Sequence, residues 1–313
     1  FCSRCSCFPP CCSRYPPVAY LLCPSAAPAP PPRCVLLLLP LFLLLLVLGL
    51  EVGQEGWIWG QKNALAARLC HRRTGVGGDG LILVENSEPC DTRMRIFNSD
   101  GSEAEMCGNG VRCFAKYVYD TGIVKKERFS VETLAGPMIA ELTVENGVCT
   151  HVRVNMGKPF FNRADIPVVG EGECQLQTLT ALDKTFTFST ILLGVPHTVV
   201  FVDDVLGFDW QKYGEVIERM TELFPRKTNV NFAQVLDEGN VLVRTFERGC
   251  GPTLACGTGS SSVAVCCARA GKTGRKVTIH LELGTLEIDW TESGDVFMTG
   301  PAALAFEGEV DVG

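Results

Sequence analysis

The stretches EMCGNGVRC (105–113) and LACGTGSSSVAV (254–265) share one local pattern. In each, a cysteine precedes Gly-X-Gly, and apolar residues at helical spacing follow. Glycine lets the backbone approach a partner closely, and the first N–H groups of a helix have no partner within it. Such a helix N-terminus favours a thiolate and binds carboxylates. The pattern therefore predicts that Cys107 and Cys256 are reactive thiols with a lowered pKa.

The two cysteines lie 149 residues apart, which is about the length of one domain. The order strand, Cys-Gly-X-Gly, helix, strands occurs once around Cys107 and once around Cys256, which indicates an internal duplication. The predicted fold class is α+β, with two pseudo-symmetric domains, each a mixed β-sheet or barrel wrapped around a central helix. Two thiols on facing helices can remove a proton from one face of a carbon and return one to the other. This arrangement indicates a racemase or epimerase that needs no cofactor.

The composition excludes some classes of partner. The 313 residues carry a formal net charge of −7, and the basic residues are scattered, so no nucleic-acid partner is predicted. Seven of the 17 cysteines fall in the first 34 residues. Several of the others, such as Cys113, Cys149 and the pair Cys266-Cys267, lie in apolar runs, which is typical of buried thiols rather than disulfide partners. The leading CSRCSC has no partner pair at zinc spacing, so no metal site is predicted.

The first 60 residues differ from the rest. Residues 1–34 are rich in Cys, Pro and Ala, and residues 35–50 (VLLLLPLFLLLLVLGL) carry no charge. Three interpretations stay open for this apolar run. It is short for a membrane span and contains Pro40, it has the acid-poor flanks of a targeting segment, or it is not native coding sequence. Residues 1–60 are therefore predicted to be a leader outside the fold, and membrane contact is expected only if residues 35–50 are native.

The remaining chain alternates helical and strand patterns. Helices are predicted over 63–73, 110–120, 209–225 (ended by Pro225) and 257–271 (ended by Gly271), with strands between them. Five motifs then carry a resemblance to the diaminopimelate epimerase family across residues 61–313: RRTGVGGDG, MRIFNSDGSEAEMCGNGVRCFAKY, FPRKTNVNF, ERGCGPTLACGTG and TGPAALAFEGEV.

The resemblance implies that the chain interconverts LL- and meso-2,6-diaminopimelate in lysine biosynthesis without a cofactor. It implies that Cys107 and Cys256 are the two acid/base cysteines and that Glu247 and Arg248 help to recognise the distal, unreactive centre. His197 is a further candidate for the site. The full set of implied substrate-binding residues is Asn98, Gly108, Asn109, Asn229, Glu247, Arg248, Gly257 and Thr258.

The chain departs from the family pattern at two places. It lacks the family's initial Gly-Leu-Gly-Asn-Asp-Phe strand, and Val195 stands where the family usually has asparagine. The N-terminal domain, residues 61–150 joined by 301–313, is therefore expected to lack its first strand, whereas residues 151–300 form the C-terminal domain. Reduced turnover is expected. The alternatives are a catalytically impaired or binding-only homologue, or another racemase or isomerase of the same superfamily.

The resemblance also bears on assembly and location. The family tends to form homodimers, so a homodimer is an expectation here. Family members act in plant plastids and in the bacterial cytosol. The acid-poor leader favours a plastid location if the source is a plant or alga, and otherwise the cytoplasm.

Overall fold

A computed structural model describes residues 33–38, 44–49 and 61–310. Within these ranges the helices are α1 (Lys62–Cys70), α2 (Gly108–Asp120), α3 (Trp210–Glu218) and α4 (Gly257–Arg269). The strands are β1 (Arg33–Leu38), β2 (Leu44–Gly49), β3 (Gly80–Glu85), β4 (Thr92–Asn98), β5 (Glu103–Ala104), β6 (Arg128–Thr133), β7 (Gly136–Glu145), β8 (Val148–Asn155), β9 (Gln177–Ala181), β10 (Lys184–Leu193), β11 (Val195–Phe201), β12 (Asn229–Asp237), β13 (Asn240–Glu247), β14 (Gly251–Thr253), β15 (Lys276–His280), β16 (Thr285–Trp290), β17 (Val296–Pro301) and β18 (Ala303–Glu309).

The strand pairing repeats itself. In the first half, β2 is antiparallel to β1 and parallel to β3, β4 is antiparallel to β3 and parallel to β6, and β6, β7 and β8 form a meander. In the second half, β10 to β13 and β15 to β17 repeat the same order and directions. The halves join where β8 pairs with β17. The predicted duplication and α+β fold are confirmed.

Two strands come from the apolar leader. Leu45 pairs with Gly80 in parallel register, and β18 pairs with the far side of β1. The structure corrects the expectation that the N-terminal domain lacks its first strand: β1 and β2 take the positions beside β3 that β10 and β11 hold beside β12 in the second half. Apolar, leucine- and valine-rich runs of this length can form buried strands, which periodicity alone cannot distinguish from other apolar segments. The side chain of Val47 is fully buried in the core.

Helices α2 and α4 form the centre of the molecule. Eleven of the thirteen residues of α2 are buried, and ten of the thirteen of α4, so both are surrounded on nearly every side. Phe114 and Val118 from α2 share one apolar core with Val263 and Cys267 from α4. A helix buried all round cannot tilt freely, which fixes the direction in which its N-terminus points.

Helices α1 and α3 cover the outside of the sheet. Strand β3 reads as a continuous apolar run because both of its faces are covered. Ile82 faces the core around α2, whereas Leu81 and Leu83 pack with Leu65 and Leu69 of α1. In the second half, α3 and strands β9 to β12 enclose a third apolar cluster.

Some element boundaries differ from the sequence prediction. Helix α3 ends at Glu218 rather than at Pro225. Glu218 is buried and pairs with Lys227, and the chain then turns so that Phe224 N–H donates to Met220 O at 2.8 Å. Burial of Phe224 in the apolar cluster bends the chain before the proline does. Strand β9 was not predicted because its sequence, QTLTA, is mostly polar and only two of its residues are buried.

Other predictions fall partly outside the described residues. The CSRCSC segment and the targeting interpretation of residues 1–32 lie outside them, as do residues 39–43 and 50–60. Among the described residues, no helix is long and apolar enough to cross a membrane, and no cluster of three or more metal-ligating side chains is found. The ten cysteines between Cys70 and Cys267 are free thiols. The domain boundaries stay a prediction.

Candidate active site

Both predicted cysteines occupy the N-cap position of a central helix. Cys107 precedes α2 and Cys256 precedes α4, and both have extended backbones. The Cys107 sulfur accepts a hydrogen bond from the Gly110 N–H at 3.3 Å. A side chain at Gly110 would place its Cβ 3.3 Å from the Cys107 Cβ, and one at Gly259 would lie 3.2 Å from the Cys256 Cβ. The two Gly-X-Gly sequences therefore make room for the thiols.

The two helix N-termini meet at one place. An ideal Cβ on Gly108 would lie 3.0 Å from the Met298 methyl, and one on Gly257 would lie 3.0 Å from the Met298 sulfur. Met298 of β17 therefore touches both helix ends and forms the floor between them, with Met156 beside it. The N-termini of two helices therefore lie against one residue, and a helix N-terminus is a place at which anions bind.

Asn109 reaches across this site. Its Oδ1 lies 3.5 Å from the position of a Cβ on Gly257 of the opposite helix. Among the described residues this buried oxygen has no hydrogen-bond partner. Buried polar atoms in proteins are nearly always paired. An orphaned oxygen between two helix N-termini is therefore well placed for contact with a bound polar ligand, as expected of Asn109.

Glu247 lies beside the second thiol. Its Oε2 accepts a hydrogen bond from the Cys256 thiol at 3.4 Å, and its Oε1 accepts one from Thr253 at 2.7 Å. The Thr258 hydroxyl is also 3.4 Å from the Cys256 sulfur. The short β13–β14 hairpin brings Glu247 back against the start of α4. The family resemblance implies that Glu247 helps to recognise the distal centre of the substrate, and in the structure its carboxylate lies beside Cys256.

His197 belongs to a buried chain of hydrogen bonds that ends at Cys256. Thr245 donates to Asn231 Oδ1 at 3.1 Å, and Asn231 Nδ2 donates to His197 Nδ1 at 3.2 Å. His197 Nε2 then donates to the Thr258 hydroxyl at 3.0 Å, which leaves that hydroxyl free to donate to the Cys256 sulfur. Burial lowers the pKa of His197 to about 3, and the charge of Arg248 adds to the effect. His197 is therefore neutral in the folded protein.

Three further predicted residues, Asn229, Arg248 and Asn98, make hydrogen bonds that do not involve the thiols. Asn229 Oδ1 accepts the Arg248 N–H at 2.8 Å, and the Arg248 guanidinium donates to the Arg226 carbonyl at 2.9 Å. Asn98 ends β4, the counterpart of Glu247 at the end of β13, but its exposed side-chain amide donates to Ser102 at 2.9 Å. The hydrogen bonds of Asn98 therefore do not join it to the thiols.

Val195 borders the mouth of the site. It begins β11 directly after Gly194, whose ideal Cβ would lie 3.6 Å from the Thr258 methyl. An isopropyl group at this position is half-buried and offers no hydrogen bond. The departure from the family pattern therefore directly follows a residue that lies near Thr258.

Burial raises the pKa of both thiols. At Cys107 this effect exceeds the opposing effect of the Gly110 and Asn109 N–H groups and of the Arg112 charge. At Cys256 the negative charge of Glu247 raises the pKa further, against the Thr258 hydroxyl and the Gly259 N–H. The prediction of lowered thiol pKa values is wrong because loss of hydration penalises a thiolate more than the helix N–H groups favour it.

Some site residues were missed in the sequence. Met298 lies in β17, Asn231 lies in β12, and Met156 directly follows β8; their surrounding sequences resemble ordinary core strands. Arg112 was visible as a charge on an otherwise apolar stretch of α2, and it is fully buried. A charged residue among buried neighbours was the available signal for it.

Comparison with known proteins identifies the family of this chain. The family model described as diaminopimelate epimerase matches residues 59–161 and 189–305. The chain belongs to the diaminopimelate epimerase family. The family's curated members include one from Caldanaerobacter subterraneus subsp. tengcongensis, which is 47% identical over 251 residues, 80% of this chain and 91% of the relative. One from Methanococcus maripaludis (strain C6) is 43% identical over 252 residues, again 80% of this chain and 91% of the relative.

Solved structures of lower identity share the fold of the family. A probable proline racemase from Agrobacterium radiobacter K84 aligns with a TM-score of 0.65 at 17% identity, covering 90% of this chain and 93% of that one. A hydroxyproline epimerase from Agrobacterium vitis aligns with a TM-score of 0.64 at 15% identity, covering 89% and 90%. The duplicated architecture therefore also occurs in proteins outside this family.

Proposed function

We propose that this chain epimerises LL-2,6-diaminopimelate to the meso form, a step of lysine biosynthesis, by proton transfer between two cysteines. Family membership supports the substrate. The observation that carries the mechanism is the pair of N-cap cysteines on two helices whose N-termini share the Met298 floor. The chain is therefore an isomerase of the epimerase class.

The two thiols have complementary tasks. The thiolate of one cysteine removes the α-proton, and the thiol of the other gives a proton to the opposite face of the same carbon. The N–H groups of both helices are positioned to bind the α-carboxylate, on which negative charge grows as the carbanion forms. Raised pKa values suit a thiol that must remove a weakly acidic proton, since a thiolate with a higher pKa is a stronger base.

The surroundings of Cys256 fit both of its protonation states. As a thiol it donates to Glu247, and as a thiolate it accepts from the Thr258 hydroxyl, which His197 holds in position. The roles of acid and base can therefore exchange between the two directions of the reaction. Arg248, oriented by Asn229 and Arg226, is the candidate for pairing with a substrate carboxylate.

The alternatives are less well supported. A binding-only homologue needs none of the hydrogen bonds that surround Cys256. The proline racemase and the hydroxyproline epimerase that share the fold are 17% and 15% identical to this chain, whereas the two curated diaminopimelate epimerases are 47% and 43% identical to it. The homodimer stays a prediction. A plastid location also stays a prediction, and the relatives compared here do not support it.

The proposal is tested by following α-proton exchange and epimerisation of LL-diaminopimelate in heavy water by NMR. We expect both activities in the parent chain and loss of epimerisation by about 10²–10⁴-fold in Cys107→Ala and in Cys256→Ala. Cys90→Ala is the matched control because this half-exposed thiol lies in a turn outside the site. Epimerisation at the parent rate in either catalytic variant would overturn the two-cysteine mechanism.

A further inference from the structure

The most unusual charged group of the core is Arg112. It lies on α2, five residues after Cys107, and its side chain is 0% exposed. Its Nη1 donates to the Met298 sulfur at 3.4 Å, while Nε and Nη2 have no hydrogen-bond partner within the described part of the chain. An uncompensated buried charge costs several kcal/mol in general, as an order of magnitude. Arginine is almost never fully buried unless its charge is paired, so the burial of Arg112 indicates a role for its charge.

The guanidinium sits directly behind the site floor. An ideal Cβ on Gly300 would lie 3.1 Å from Arg112 Nε and 3.3 Å from its Cζ, so the absence of a side chain there makes room for the guanidinium. Met298, which accepts its hydrogen bond, is the residue that touches both helix N-termini. One layer of side chains therefore separates this charge from the reacting groups.

The two halves of the duplication carry different charges at equivalent positions. Counted along the repeat from Cys107 and Cys256, the position of Arg112 is occupied by Ser261 in the second half, and the position of Glu247 is occupied by Asn98 in the first. Cys107 thus has a buried cation behind its helix, whereas Cys256 has a carboxylate 3.4 Å from its sulfur. The two thiols stand in equivalent places of the fold but in fields of opposite sign.

Arg112 keeps its charge at neutral pH. Burial lowers the pKa of its guanidinium, but only to about 10. Cys113 itself stays neutral because burial raises its pKa to about 12. The charged groups that act on Cys107 are then Arg112 from its own helix and Glu247 from the end of β13, which acts in the opposite sense.

We propose that Arg112 is a positioning residue of the site: from behind α2 it stabilises the thiolate of Cys107, so that Cys107 forms a thiolate more readily than Cys256. A charge in a water-excluded interior acts over several ångströms with little screening. As a step in catalysis this role rests on the proposed function. As a property of the thiol, it is measurable without any substrate.

The test is site-resolved alkylation of the full chain with iodoacetamide between pH 6 and 10, followed by peptide mass spectrometry. Alkylation reports the thiolate fraction of each cysteine. Arg112→Met keeps most of the volume and removes the charge, whereas Arg112→Lys keeps the charge. We expect the Cys107 titration to move to higher pH by about one unit in Arg112→Met, which lowers alkylation about tenfold at neutral pH. Arg112→Lys is expected to stay near the parent, and Cys256 to change little in either.

Coincident Cys107 titrations in the parent and a folded Arg112→Met would overturn the proposal, and so would an equal shift at both cysteines. If Arg112→Met fails to fold, Arg112→Gln gives the same comparison with a polar, uncharged side chain. Failure of the proposed function is a separate result: the parent would not epimerise diaminopimelate, while the alkylation difference at Cys107 would persist.

Discussion

The carboxylate of Glu247 lies 3.4 Å from the sulfur of Cys256, at the start of the helix whose counterpart begins at Cys107. The equivalent position in the first half is Asn98, which carries no charge. The duplicated fold therefore presents two similar thiols in different electrostatic surroundings. A carboxylate beside a thiol disfavours the thiolate, so this contact contributes to the raised pKa of Cys256.

Removing this charge changes the second thiol in a defined direction. We expect Glu247→Gln to lower the pKa of Cys256, because the Coulombic repulsion on its thiolate is lost while an amide can still occupy the position. The pH dependence of Cys256 alkylation measures this shift. Glu247→Asp serves as control because it retains the charge. A Cys256 titration in Glu247→Gln that stays at the parent pH, or moves upward, would contradict this account.

Gly259 has no room for a side chain. An ideal Cβ there would lie 2.5 Å from Asn231 Oδ1 and 3.2 Å from the Cys256 Cβ. We expect Gly259→Ala to displace the start of α4 and to lower kcat about 10²-fold, since a displacement of about 1 Å in a catalytic group has that effect.

Gly274→Ala is the matched control for this variant, because its Cβ would meet only the Glu238 carbonyl oxygen at 3.8 Å and the Lys276 one at 4.0 Å. Steady-state epimerisation rates and thermal unfolding of both variants make the comparison. Equal rates in the two alanine variants would show that the close packing at Gly259 does not position the thiol.

Much of the site is visible in the sequence because it lies within short contiguous motifs. Cys107 and Cys256, each followed by Gly-X-Gly, predict two helix N-termini, and the interval between the two cysteines indicates the duplication. What joins them is not local. Met298 comes from a strand 42 residues beyond Cys256, and nothing in its surrounding sequence marks it as the floor of both helices.

Two failures of sequence reasoning have physical causes. The thiol pKa direction depends on burial, which raises the pKa more than helix N–H groups lower it, and burial cannot be read from a motif. The leader was assigned outside the fold because a continuous apolar run fits several structures equally well. Its pairing with β3 depends on an edge that exists only once the sheet is formed.

The neutral state of His197 gives a pH dependence of stability. Its folded pKa of about 3 lies below the ordinary value of 6.5, so below pH 6.5 the unfolded chain binds a proton that the folded protein does not. The stability associated with His197 is therefore complete above pH 6.5 and is lost as the pH falls toward 3.

We expect His197→Gln to remove this part of the acid destabilisation. The measurement is the urea midpoint of parent and variant between pH 8 and 4. The difference in urea midpoint should narrow or reverse as the pH falls, because only the parent loses the stability associated with His197. The carboxylates titrate in both proteins, so their effect cancels in the difference. Parallel curves across that range would show that His197 does not bury a neutral ring.

Val195 offers a gain-of-function test. An asparagine at this position, as the family pattern has, adds a donor and an acceptor beside Thr258. A hydrogen bond to a charged ligand group contributes about 1.5–3 kcal/mol, which corresponds to roughly a tenfold or larger fall in the KM for diaminopimelate. Val195→Ala is the control because it changes volume without adding polarity. Equal KM values in Val195→Asn and Val195→Ala would mean that position 195 does not contact the substrate.

Val47 tests whether the leader is part of the folded protein. It is fully buried on β2, the strand that pairs with β3 and contacts α2. We expect Val47→Ala to lower the free energy of unfolding by about 2 kcal/mol through lost burial and a residual cavity. Val148→Ala, on the half-exposed start of β8, should change it by less than about 0.5 kcal/mol. Urea unfolding of the full chain measures both. If the two substitutions have equal effects, β2 does not take the place of the missing strand, and α2 with Cys107 depends on other support.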